Sequence, residues 1–159
     1  MFFKTFVAFL ILLMSSCPAF AHNPDEENRT EIQQVIRGVA KAWQDGDADA
    51  LRKYFASDKG IRIIEGGTQN IGVDDLIEHH VLPHHEEFAE LAIDIKETEI
   101  HFANGYDNAW AISDFDVRIK TKDGKETKAT GYETFVLRKF NGKWKIVHSH
   151  SSTRRVNAQ

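Results

Sequence analysis

Two histidines near the C-terminus, His148 and His150, are the side chains in this sequence best placed to do chemistry. Alternate residues of an extended strand share a face. Trp144, Ile146, His148, His150 and Ser152 therefore point one way, and Lys143, Lys145, Val147, Ser149 and Ser151 the other. The face that starts with Trp and Ile is expected to be the inward one, which delivers two imidazoles to the interior. Imidazole exchanges protons near neutral pH and is the commonest metal ligand, so acid–base catalysis and metal binding are both open. A hydrogen-bonded structural pair at a strand end is the competing reading.

A second cluster is His79-His80-Val81-Leu82-Pro83-His84-His85. His80 and His84 stand at i, i+4, a spacing that zinc sites use, but Pro83 lacks an N–H and is expected to bend the helix there. His84 and His85 then read as a solvated helix end. His79 and His80 follow Leu76 and Ile77 toward a pocket mouth and are candidate ligand contacts. If His80 met His148 and His150, three imidazoles would hold Zn²⁺ or Cu²⁺ with an open position. Acid–base work by the same residues requires no cofactor.

Carboxylates and aromatics extend the candidate site. Trp110, Ile112, Asp114 and Asp116 share one strand parity. Asp114, Asp116 or Glu133, if inward, would pair with His148 or His150 and raise its basicity. Solvated strand carboxylates are the alternative. Trp43, Trp110, Asp114 and Tyr132 complete the expected ligand-contacting set. There is no Gly-rich phosphate loop and no G-x-S-x-G elbow. With 20 Lys+Arg against 24 Asp+Glu, nucleic-acid binding is not expected.

The elements that must position these residues follow a leader. Lys4, the nine apolar residues Phe6 to Met14, and Ala19-Phe20-Ala21 have the three-part order of a secretory signal peptide spanning residues 1–21. Nine residues reach only about 14 Å as a helix, so no permanent membrane span is expected. A periplasmic or secreted location follows, with a lipid anchor at Cys17 as the minor alternative. Removing the leader takes away the single Cys and both Met residues, and with Lys4 gone the charge moves from −4 to −5. A disulfide framework and thiol catalysis are both excluded for such a chain.

Residues 22–29 read as a flexible arm. From Thr30 on, Ile32, Val35, Ile36, Val39, Ala40 and Trp43 recur at helical spacing. Asp45-Gly46-Asp47 ends that helix and Ala48 to Phe55 forms a second. Ile61 to Glu65 is a short strand, and Val73 to Val81 a third helix. Four long strands follow, over 92–102, 109–121, 127–140 and 143–153, punctuated by Asn104-Gly105, Asp123-Gly124 and Asn141-Gly142. An α+β domain results, with helices against one face of an antiparallel meander.

Three segments in this order resemble the SnoaL-like branch of the nuclear transport factor 2-like superfamily. They are WQDGDADALRKYFASD (Trp43 to Asp58), IRIIEGG followed by IGVDDLIEHH, and NGKWKIVHSHSS (Asn141 to Ser152). The resemblance covers residues 30–155. It implies a cone-shaped fold, with three N-terminal helices packed on a curved antiparallel sheet around a pocket for a small, partly apolar molecule. It also implies homodimers paired through the outer sheet face. Activities in the superfamily include isomerisation, dehydration, cyclisation and epoxide hydrolysis beside non-catalytic binding, so fold does not select function. Glu65 closes the first strand where steroid isomerases of this group carry a general-base carboxylate, but Val39 stands where those enzymes place an oxyanion-holding Tyr. The expectation is a lyase, isomerase or hydrolase acting through His148 and His150 with His80 or Glu65. The alternative is a binding module for a ligand or a metal.

Overall fold

The computed structural model describes residues 23–57, 60–103 and 105–156. The expected leader, its cleavage site and Cys17 lie outside them. Among the described residues, no helix is long and apolar enough to cross a membrane.

Helix α1 (Pro24–Asp45) starts well before Thr30, so residues 24–29 of the expected arm form its first turns. Asn23 caps it by accepting from the Asp25 N–H, Pro24 fits the first turn, and Asp25, Glu26 and Glu27 place negative charge at the positive end of the dipole. Asn28 anchors this turn. It is buried, donates to the Pro24 carbonyl at 2.6 Å and accepts from the Trp144 indole N–H at 3.1 Å. Ile32, Val35, Ile36, Val39 and Ala42 form the buried stripe, and helix α2 (Ala48–Tyr54), capped by Asp47, buries Leu51.

Strands β1 (Arg62–Glu65) and β2 (Thr68–Ile71) make a hairpin before the next helix, so only two helices precede the sheet rather than three. The meander β3 (Phe88–Phe102), β4 (Asn108–Thr121), β5 (Glu126–Phe140) and β6 (Lys143–Arg155) follows the expected stretches closely. Asn141 and Gly142, both at positive φ, form the tight turn between the last two strands. The sheet order is β2-β1-β6-β5-β4-β3, and β1 runs parallel to β6, so the sheet is mixed rather than wholly antiparallel. The cause lies just after α2. Phe55 already bridges Ile146 in parallel and the Ala56 N–H donates to the Ile146 carbonyl, which delivers β1 alongside the last strand.

Helix α3 (Val73–Leu76), a π-helical turn (Ile77–Val81) and α4 (Leu82–Glu87) run on without a break. The widened turn, closed by the Leu82 N–H on the Ile77 carbonyl, accommodates Pro83 at the start of α4, so the proline does not end the helix.

The helices cover only part of the sheet's inner face. There Ala111, Leu137, Ile146 and Trp144 join Ile32, Ile36 and Leu51 in one core. Beyond the helices the long strands continue and enclose a hollow. Two irregularities shape it. Gly131 lies so close to β6 that a Cβ would sit 2.1 Å from the Ser152 carbonyl oxygen. In β6, His148 pairs with Val136 but Ile146 pairs with Leu137, leaving Val147 as the extra residue of a β-bulge.

Candidate active site

The bulge decides which side chains of β6 meet the interior. Before it, Trp144 and Ile146 are inward and buried; after it, Ser149 and Ser151 are the buried residues. One extra residue shifts the alternation by one and turns every later side chain over. His148 and His150 consequently face away from the hollow, which Ser151, Thr153 and Arg155 line instead. The expected inward placement of the two histidines is thus corrected. Trp110, Asp114 and Tyr132 fall on the same outer face, because the inward parity of β4 is Ala109, Ala111, Ser113 and Phe115. Trp110 stacks on His101 there, with ring centroids 4.0 Å apart.

The hollow is a cavity of about 270 Å³. Its walls are mainly apolar: Ile36, Val39 and Trp43 from α1, Ile93 and Ile95 from β3, Phe115 and Val117 from β4. Trp43 and Glu65 therefore stand where the sequence suggested. Val39 is one of the apolar wall residues, so α1 presents no hydroxyl at that position.

Three polar residues cross the cavity in one row. Glu65 on β1 is in register with Ser151 on β6, and Ser151 with Glu133 on β5. Glu133 is the least ordinary of them. Its carboxyl lies deep among protein atoms, and enclosure pushes its pKa up to about 7, with the nearby Glu65 charge adding to the rise and a hydrogen bond from Ser149 opposing it. The residue keeps some accessible surface because it faces a hollow.

At the other edge of the row, His80 Nε2 lies 3.0 Å from Glu65 Oε2, although the nitrogen, buried from solvent, is not aligned for a full hydrogen bond. The His80 ring sits edge-on to Trp43 (5.3 Å) and to His84 (4.4 Å). His84 lines the cavity instead of ending a helix in solvent. Enclosure and the charge of His80 hold its imidazole below the usual pKa, against the pull of Glu65 and Glu87. The π-helical turn brings these two rings onto one face despite Pro83. His79 points elsewhere, pairs with Asp75 at 2.8 Å and is exposed.

His80, His148 and His150 do not converge. Among the described residues, no three His, Cys, Asp or Glu side chains gather in an arrangement able to hold a metal ion. The outward turn of β6 is the reason. Sequence reasoning placed Ser149 and Ser151 on the wrong face and counted Glu133 only as a partner for the histidines; Thr153 and Arg155 it missed. Alternation around a single fixed parity gave no sign of the bulge.

Comparison with known proteins agrees with this architecture. No curated protein sequence matches the chain. Among solved structures, a nuclear transport factor 2-like superfamily protein from Salmonella enterica superposes with a TM-score of 0.74 at 21% identity, over 80% of this chain and 92% of that one. A candidate ketosteroid isomerase from Shewanella frigidimarina gives 0.62 at 29%, over 75% and 92%. A hexachlorocyclohexane dehydrochlorinase from Novosphingobium barchaimii gives 0.71 at 14%, over 83% and 90%. The chain shares the fold of that nuclear transport factor 2-like protein, and the SnoaL-like domain pattern matches residues 32–155, the span that builds both cavity and sheet, so the chain belongs to the SnoaL-like domain family.

Proposed function

We propose that this protein is a small-molecule isomerase or lyase that moves a proton from a carbon atom of a partly apolar ligand, with Glu133 as the base. One observation carries the reading: a carboxyl enclosed by apolar walls, raised to about 7, opens onto a cavity large enough for a small molecule. A base whose pKa matches the working pH is both available and strong enough to take a proton. Desolvation sharpens it, since few waters compete for its lone pairs. Glu65 and His80, 3.0 Å apart, stand across the row as the other polar pair open to the ligand, and proton transfer of this kind needs no cofactor. The isomerase and dehydrochlorinase similar in fold support a reaction of this class.

The experiment is base-catalysed ring opening of nitrobenzisoxazole, a probe that needs only a carboxylate in an apolar pocket. Glu133 takes the ring C–H proton, the C–H electron pair completes a nitrile, and the N–O bond breaks to leave a coloured phenolate. Glu133→Gln is expected to lower the rate by about 100-fold or more. Equal rates in parent and variant would make the cavity a binding site only.

We further propose that a second copy covers the outer sheet face, where Tyr132, Trp110 and Val136 are 59%, 41% and 36% exposed. Light scattering should find a dimer in the parent and a monomer in Trp110→Arg/Tyr132→Arg; a monomeric parent rejects the pairing. Export remains part of the same proposal, and N-terminal sequencing of protein made from the full chain in a bacterium should read from His22.

A further inference from the structure

We propose that the cavity takes an anionic ligand, an apolar body ending in a carboxylate or comparable oxyanion, and that Arg155 holds the charged end. This deepens the acid–base reading and rests on it for the identity of the cavity as the ligand site. The Val147 bulge, which turns the histidines out, puts Ser149, Ser151, Thr153 and Arg155 on the cavity face of β6, and Arg155 lines the cavity. Among the described residues, its guanidinium has no hydrogen-bond or ion-pair partner. Lys96, Arg118 and Lys120 on the sheet pair with carboxylates, and Arg62, Lys128, Lys143 and Arg154, which have no ion pair among the described residues, do not line this cavity. Arg155 is solvent-exposed while lining an apolar cavity, and an unmatched guanidinium there offers a planar fork of donors to an oxyanion.

Register places it relative to the base. Arg155 is opposite Ala129 and Ser151 is opposite Glu133, so four residues of strand separate the two rows, about 13 Å along the sheet at ~3.3 Å per residue. The carboxylates stand in one row of the cavity and the cation two rows along, with Ile95, Phe115 and Thr153 in the row between. That polarity orients an anionic ligand. Its charged end is repelled by Glu65 and Glu133 and drawn to Arg155, which leaves the apolar end beside the base. A cationic ligand would be driven the opposite way and would occupy Glu133 as a counter-ion.

Two fluorescent probes of the same apolar body test this. Anilinonaphthalene sulfonate carries an anion and phenylnaphthylamine does not. The parent is expected to bind the sulfonate more tightly than the neutral probe. Arg155→Ala should weaken the sulfonate by about tenfold and leave the neutral probe within about twofold, and Arg155→Lys should restore part of the loss. Equal binding of the two probes by the parent, or equal loss of both in Arg155→Ala, overturns the anion assignment while leaving the base intact. If neither probe enters, the cavity is not a ligand site, and the acid–base reading falls with the anion assignment.

Discussion

Glu65 and Glu133 flank Ser151 in one row across three neighbouring strands, both facing the cavity, with backbones about 10 Å apart at ~4.8 Å per strand. The Glu65 carboxylate adds to the cost of ionising Glu133 among these apolar walls. Glu133, the more enclosed, is the one whose proton is retained to about 7, while Glu65 has His80 3.0 Å away. The row thus supplies one group that binds a proton near neutrality and one with an imidazole beside it.

The rate of the nitrobenzisoxazole reaction should rise with pH along a single titration centred near 7, because only ionised Glu133 accepts the proton. A pH–rate profile between 5 and 9 checks this. Glu133→Gln should abolish the rising limb, not merely scale it.

Stability should show the opposite slope. A carboxyl raised from 4.5 to about 7 binds its proton more tightly folded than unfolded, so folding loses free energy as pH climbs between those values. The penalty amounts to roughly 3 kcal/mol at pH 8, by the conversion of ~1.4 kcal/mol per unit. Glu133→Gln should melt close to the parent at pH 5 and well above it at pH 8. Parallel melting curves at both pH values would contradict the assigned enclosure.

His148→Ala/His150→Ala should leave the cavity working. Both side chains lie on the outer face, so the reaction rate is expected within about twofold of the parent, and stability within about 0.5 kcal/mol by urea titration. A large rate loss would place the histidines back in the site and refute the bulge register.

Asn28→Ala should cost about 1–3 kcal/mol, since it strands the buried Trp144 N–H and frees the first turn of α1. Chemical denaturation measures it. A shortened chain starting at Thr30 should lose at least as much, because Asn28 leaves with the turn.

Local signals carried most of the fold. Asn141-Gly142 and Asp123-Gly124 mark hairpins because few residues tolerate the required φ, and the strands they join fell close to the expected places. The stripe from Ile32 to Ala42 needed only helical spacing. The site was less legible, and for a single reason in two guises. Val147 shifts the alternation of β6, and the π-helical turn shifts the phase around Pro83; each adds one residue to a repeat that sequence reasoning must assume regular. Asn28 shows a third limit, for a polar residue reads as solvent-facing unless its distant partner, here Trp144, is known. Glu65 and Trp43 were found because their positions depend on neither irregularity.

The bulge in β6 also means that the strand holds two complete vocabularies. Read in one frame it offers the ligand hydroxyls and Arg155; in the other it offers two imidazoles followed by Ser152 and Arg154. A single residue gained or lost at Val147 would exchange the two without altering any side chain that takes part. On this scaffold, the nature of the chemistry is open to change by insertion and deletion as much as by substitution.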